Sequence, residues 1–259
     1  MPCIDTGRVS LFLEDAGSGD VPLLLLHELG GSSESWRQVI PLLAMDRRVI
    51  AVDVRCAGRS EKPPGPFTLA DVADDLDGLL QALNPGGPVD VIGAALGSLI
   101  GALLAIRHPA QVRRLAMCAV APEMAGPTRH YLAERAEKVR ALGMRGVAEA
   151  SLANSFPASR AAERAAYRGI YLGNDPAAYA ELSLALGRLE MTAADWREIQ
   201  AQVLVASGAH DFLWPPPIGR QVAALIPEAR FEVMEDAGHF PHLQAPVTLV
   251  GLARSFFRD

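Results

Sequence analysis

An imidazole becomes a useful general base when a carboxylate fixes its tautomer and stabilises the charged form it passes through. Two loops carry that pair of groups: Gly208-Ala209-His210-Asp211 and Asp236-Ala237-Gly238-His239-Phe240-Pro241-His242, each directly after an apolar run that reads as a strand. Upstream, Val91-Ile92-Gly93-Ala94-Ala95-Leu96-Gly97-Ser98 reads as a buried strand that turns sharply into a helix. Glycines in this Gly-x-x-x-Gly spacing let the backbone make a strained turn that lifts one side chain at the edge of a sheet, the frame of a nucleophile elbow. The lifted residue here is Ala95, whose methyl group has no lone pair to attack with and no proton to give. The spacing predicts a His239–Asp211 pair facing an elbow that lacks its nucleophile, with water as the attacking group.

His27-Glu28-Leu29-Gly30-Gly31 follows another apolar run, and its glycines let backbone N–H groups face a developing negative charge. The amides of Leu29 and Leu96 are the expected oxyanion donors. Glu28 is unusual there, because a carboxylate opposes negative charge unless it turns away or stays protonated. His27, Glu28, Trp36, Ala94, Arg129, Trp214 and Phe240 are the expected substrate contacts, with Arg129 the candidate for meeting an anionic group. Tyr131, Phe156, Tyr167, Tyr171, Tyr179 and Trp196 could complete an aromatic wall, although such side chains more often pack in a core. His27, His210, His239 and His242 match no standard ligand spacing, so neither metal nor cofactor is expected.

These loops need a scaffold, and the apolar patterning supplies one. Val9 to Glu14 alternates like an early antiparallel strand, while Val21 to Leu26 and Arg48 to Val54 are continuous apolar runs, as strands buried on both faces are. Ser33 to Ala44 reads as a helix in which Pro41 costs regularity. Thr68-Leu69-Ala70-Asp71 has the form of a capping box, and Leu69, Val72, Leu76, Leu79 and Leu83 then recur at helical spacing, with Asp71, Asp74, Asp75 and Asp77 expected toward water. Val89 to Gly93, a helix from Leu96 to Arg107, and Val112 to Val120 form a βαβ unit of parallel strands. From Pro122 to Arg197 the strand signal stops and helical spacing takes over, which predicts a helical lid. Strands return at Val203 to Ser207 and Arg230 to Met234, with helices at Ile218 to Leu225 and Ala245 to Phe257. The expected organisation is an α/β core over 1–121 and 198–259 with a cap over 122–197.

The 259 residues fit one large α/β domain, and 50% hydrophobic residues suffice for a sizeable core. A net charge of -6 without a Lys/Arg cluster argues against nucleic acid and leaves small molecules as the expected partners. Cys3, Cys56 and Cys118 are odd in number and widely spaced, which suggests neither a disulfide framework nor a zinc site. The opening residues Met1 to Asp5 show no basic region leading into an apolar one, and no apolar run approaches the length of a membrane span. A cytoplasmic protein without a membrane partner is the expectation; the oligomeric state is open, with a homodimer as one candidate.

Together, His27 to Gly31, Asp53-Val54-Arg55-Cys56-Ala57-Gly58-Arg59-Ser60, the elbow, Asp211 and Gly238-His239 resemble the α/β-hydrolase superfamily along nearly the whole chain. Elbow, Asp, His is that superfamily's order. The resemblance implies an α/β-hydrolase fold: a mostly parallel sheet flanked by helices, with an inserted helical lid. Arg59-Ser60-Glu61-Lys62-Pro63-Pro64-Gly65-Pro66-Phe67-Thr68-Leu69 is similar to 3-oxoadipate enol-lactonases, which cleave a small lactone acid with a Ser–Asp–His triad whose Ser corresponds to Ala95. Gly93-Ala94-Ala95-Leu96-Gly97 also resembles the elbow of aminoacrylate hydrolases of pyrimidine breakdown, which have Ala at this point. Glu28 stands where Gly is usual, and Cys56-Ala57 replace the common Gly-His. A laboratory Ser-to-Ala change would alter position 95 alone, so these further departures favour natural divergence. The resemblance implies hydrolysis of a small carboxylate-bearing ester, lactone or amide-like metabolite. The residues themselves leave open a cofactor-free lyase or decarboxylase, a ligand-binding protein without turnover, and an engineered serine hydrolase.

Overall fold

Leu23, Leu24, Leu25 and Leu26 are all fully buried, and they divide alternately between two hydrophobic layers. Leu24 and Leu26 join Ile50, Val52, Val89 and Val91 on one face of a sheet, while Leu23 and Leu25 join Val49, Ala51, Ile92 and Ala94 on the other. Because successive strand residues point to opposite faces, a continuous apolar run is what a strand covered on both sides requires. The computed structural model describes residues 3–258. Met1 and Pro2, which open the stretch read for a leader sequence, lie outside them.

Among the described residues the strands are β1 (Cys3–Asp5), β2 (Ser10–Ala16), β3 (Leu23–Leu26), β4 (Val49–Val52), β5 (Val89–Ala94), β6 (Val112–Cys118), β7 (Gln202–Gly208) and β8 (Arg230–Met234). They lie side by side in the order β1-β2-β4-β3-β5-β6-β7-β8. β1 and β2 are antiparallel additions at one edge, and the pairings from β4 to β8 are all parallel. From β3 the chain goes first to β4 on one side and then returns to β5 on the other. That reversal opens a crevice beyond the carboxyl ends of β3 and β5, where ligands bind in open α/β sheets.

The helices follow from equally local causes. α1 (Ile40–Leu43) is only a short turn, preceded by a 3-10 turn at Ser33–Trp36, so the single helix expected over 33–44 is split. Pro41 lacks an N–H and sits comfortably only in a first turn, which is where it is found. α2 (Leu69–Leu83) starts at the expected capping box, with the Thr68 side chain accepting the Asp71 N–H and the Asp71 side chain answering the Thr68 N–H. Its acidic residues are less solvated than predicted. Asp75 is fully buried and is held by the Arg55 guanidinium, Nη2 to Oδ1 at 2.6 Å, with Arg8 Nε 3.1 Å away.

α3 (Leu96–Arg107) follows β5 directly. Between β6 and β7 the chain forms α4 (Gly126–Leu142), α5 (Arg145–Ala153), α6 (Ala161–Leu172), α7 (Pro176–Gly187) and α8 (Ala193–Arg197). α4 and α7 pack together, and the Ser183 hydroxyl donates to the Leu132 carbonyl across them at 3.1 Å. α9 (Pro216–Leu225), α10 (Pro241–Gln244) and α11 (Pro246–Phe257) complete the chain. No helix of the described residues is long and apolar enough to cross a membrane.

Candidate active site

Ala95 caps α3 at φ 49° and ψ -108°, in the region that L-residues seldom occupy. Its N–H donates to the Cys118 carbonyl at 2.8 Å, and the Ser98 hydroxyl lies 2.8 Å from the carbonyls of both Gly93 and Cys118. Side chains could not enter this turn: a Cβ on Gly93 would meet the backbone of Gly97 and Ser98, and one on Gly97 would meet the Leu26 carbonyl. The glycine pair is thus demanded by close backbone approach. Leu96 opens α3, so its amide is among the first-turn N–H groups that have no acceptor inside the helix and that sit at its positive end.

Asp211 and His239 come together from the loops after β7 and β8. Asp211 Oδ2 lies 2.9 Å from His239 Nδ1, and Asp211 Oδ1 accepts the N–H groups of Leu213 and Trp214, each at 2.9 Å. Both residues are buried, at 2% and 7% exposure. Burial pushes the Asp211 carboxyl up, but the His239 imidazole and the two backbone donors outweigh it and hold the group below its ordinary value. An ionised carboxylate can only accept, so Nδ1 carries the proton and Nε2 presents its lone pair. Gln244 Oε1 accepts the N–H groups on either side of His239, from Gly238 at 2.8 Å and Phe240 at 3.2 Å, and the Trp214 ring meets the imidazole edge-on at 5.3 Å.

A cavity of about 350 Å³ joins these parts. Ala95, Leu96, Leu29, His239, Trp214 and Phe240 all line it, with Asp211 directly behind His239. Most of the remaining wall comes from α4, α5 and α6, with Leu186 of α7 and the loop residues Met124 and Leu213 closing it. Tyr131, Tyr167 and Tyr171 contribute rings, whereas Phe156, Tyr179 and Trp196 pack outside the lining.

Several expected substrate contacts are elsewhere. His27 is fully buried, with Nδ1 2.8 Å from the Glu28 carbonyl and Nε2 accepting the Val54 N–H at 3.2 Å; it braces backbone. Glu28 has turned away from the cavity and meets His242 and Ser35 at 2.8 Å each. Trp36 is buried against the His242 ring, 4.5 Å between centroids. Ala94 points into the core layer on the far side of the sheet, as its position one residue before the elbow dictates. Arg129 is tied to the Met124 carbonyl at 2.7 Å and to Glu190 at 3.3 Å, so it does not line the cavity.

The cation that does line it is Arg135. Its guanidinium lies over the rings of Tyr131 at 4.9 Å and Tyr179 at 5.6 Å. Its Nε makes no hydrogen bond, and no carboxylate pairs with it among the described residues. The one local signal in the sequence was Tyr131 a helical turn before it, a spacing that brings a ring beneath a guanidinium. Ser151 also faces the cavity, its hydroxyl accepting from Tyr171 at 2.9 Å.

Comparison with known proteins agrees with this architecture. The family described as alpha/beta hydrolase fold matches residues 21–246. A protein of Azorhizobium caulinodans named carbamate hydrolase RutD is 30% identical over 246 residues, covering 92% of this chain and 91% of its own length. Among solved structures, an enol-lactonase from Burkholderia xenovorans LB400 superposes with a TM-score of 0.90 at 27% identity, covering 97% of each chain. A thermophilic esterase from Thermogutta terrifontis superposes with a TM-score of 0.91 at 26% identity, covering 96% of this chain and 93% of its own.

Proposed function

Because the chain belongs to the α/β-hydrolase family, we propose that it hydrolyses a small carboxylate-bearing ester, lactone or amide-like metabolite with water as the direct nucleophile. The observation that carries this reading is the ordered His239–Asp211 pair in the same cavity as Ala95, an elbow residue with no hydroxyl. Similarity to proteins named for carbamate, enol-lactone and ester hydrolysis supports the reaction type, since each acts on a carbonyl that bears a heteroatom leaving group.

In this mechanism a water over the Ala95 methyl attacks the carbonyl carbon while His239 Nε2 takes its proton. The oxyanion is met by the Leu29 and Leu96 amides. On collapse, the bond to the leaving heteroatom breaks, and that atom takes the proton from the imidazolium that Asp211 stabilises. No covalent intermediate forms. Broken triads keep roughly 10³–10⁴-fold over water through oxyanion and binding terms, so turnover is slow. The helices over 126–187 act as a lid, and Arg135, short of an anionic partner, receives the substrate carboxylate.

Turnover in ¹⁸O-labelled water tests the reaction. Hydrolysis places one solvent oxygen in the acid product; a product free of label shows proton-transfer elimination through the same imidazole instead. Binding of substrate without turnover, unaffected by His239→Ala, marks a ligand-binding protein and overturns the proposal.

A further inference from the structure

We propose that Glu28 and His242 form a positioning pair that sets the Leu29 amide against His239, a role resting on the reading of those two groups given above. The contact joins residues 214 positions apart in sequence, with Glu28 Oε2 2.8 Å from His242 Nε2 and both side chains fully buried. It is a second imidazole–carboxylate pair, behind the cavity wall and separate from His239 and Asp211.

Each partner is locked to one half of the site. Glu28 immediately precedes Leu29. Its Oε1 accepts the Ser35 hydroxyl at 2.8 Å, its carbonyl accepts the Gly31 N–H at 3.0 Å, and its carboxylate packs so closely under Gly31 that any Cβ there would collide with it. His242 lies on α10, the turn that also carries Gln244. Gln244 grips the backbone on both sides of His239, and the Trp36 ring fixes the His242 imidazole from one face. A shift of α10 relative to the loop after β3 would therefore move the base relative to the oxyanion donor. The Glu28–His242 bridge spans that junction.

Stability alone does not call for polar groups at such a place. Burying a carboxylate and an imidazole costs several kcal/mol in desolvation, about as much as their attraction returns, and apolar side chains of similar volume often serve as well or better. What the hydrogen-bonded pair adds is direction and distance, which apolar contacts leave soft. Burial pushes the Glu28 carboxyl up, but the His242 imidazole, helped by His27 and a backbone hydrogen bond, outweighs that and brings it down to about 2, so Glu28 stays a carboxylate able to accept from His242 Nε2 throughout the neutral range. The Tyr167 ring lines the cavity wall, and burial, with the Glu28 charge adding to it, pushes its phenol well above the ordinary value.

The test uses the full chain carrying Ala95→Ser and follows its labelling by a fluorophosphonate, which requires the oxyanion donors and His239 but no knowledge of the natural substrate. Adding E28L and H242L together should leave the melting temperature within a few degrees of the A95S protein. The maximal labelling rate should fall at least tenfold with the half-saturating probe concentration unchanged, since a displacement of about 1 Å can cost roughly 100-fold. A folded triple variant that labels within twofold of A95S overturns the proposal. Should that variant fail to fold, A95S with E28Q, equal in shape and still able to accept from Ser35, should label three- to tenfold more slowly; an unchanged rate is again fatal. Dependence of labelling on the pair, combined with no wild-type turnover of any ester or lactone, sinks the proposed function and leaves the positioning pair standing. A folded A95S protein that never labels overturns both.

Discussion

Replacing Arg135 by methionine isolates the recognition of a substrate carboxylate. The guanidinium is stacked on Tyr131 and Tyr179, has an Nε–H without an acceptor, and meets no carboxylate among the described residues. An anion docked there would gain charge-assisted hydrogen bonds of about 1.5–3 kcal/mol. At about 1.4 kcal/mol per decade, their loss raises KM for an anionic substrate roughly 10- to 150-fold and leaves kcat nearly constant. The fold should not suffer. R135M gives up two cation–π contacts of about 0.5–1 kcal/mol each, but it also removes a partly buried cation whose desolvation costs a comparable amount or more. The assay compares kcat/KM for a carboxylate-bearing aryl ester and for its methyl-ester counterpart, with thermal melting alongside. R135M should lose the anionic substrate selectively and melt at or above the wild-type temperature. Equal losses on charged and neutral substrates, or a loss on neither, would refute the assignment.

Other consequences are as direct. His239→Ala should lower kcat by two or more orders of magnitude. Asp211→Asn, which can keep its acceptor for Leu213 and Trp214 but presents an N–H to His239 Nδ1, should lower kcat by roughly 10²–10⁴-fold through the wrong tautomer; full activity in stopped assays would contradict the base assignment. Glu28 and Asp211 both bind protons more weakly in the folded chain than in the unfolded one, so their stabilisation is complete above about pH 4.5 and drains away as pH falls toward 2. The unfolding free energy from urea melts should drop steeply in that window, by on the order of 3 kcal/mol for Glu28 alone, and E28Q should flatten the slope. Ala95→Gly should melt a few degrees higher, because relief of a positive φ, worth about 1–3 kcal/mol, exceeds the roughly 0.5–1 kcal/mol entropic cost of glycine; a lower melting point would show that the turn carries no strain.

Much of the frame could be read from local pattern. The capping box at Thr68 and the unbroken spacing of Leu69 to Leu83 fix α2, and the Gly93–Gly97 pair announces the elbow, because both are satisfied within a few residues of chain. β1 escapes notice because three residues are too few to show alternation, and it exists by pairing with β2. Asp75 looks like one more acidic residue on a wet helix face, yet its partner Arg55 arrives from a loop 20 positions away. The site divides along the same line. His239, Asp211, Ala95, Leu29 and Leu96 are placed by strand ends and turns. Whether Glu28 or Trp36 faces the cavity depends instead on which way a loop side chain rotates, and that is decided by His242 far along the chain. Nor does any local feature say that Arg129 will spend its donors on the Met124 carbonyl while Arg135, on the same helix, keeps an open one.

The left-handed backbone at Ala95 is kept although no nucleophile is there to be displayed. What the turn still delivers is the Leu96 amide at the mouth of α3, so the conformation earns its keep through the main chain. Alanine and serine codons can differ by a single base, which places this scaffold one mutational step from an elbow that carries a hydroxyl and makes it a ready starting point for directed evolution.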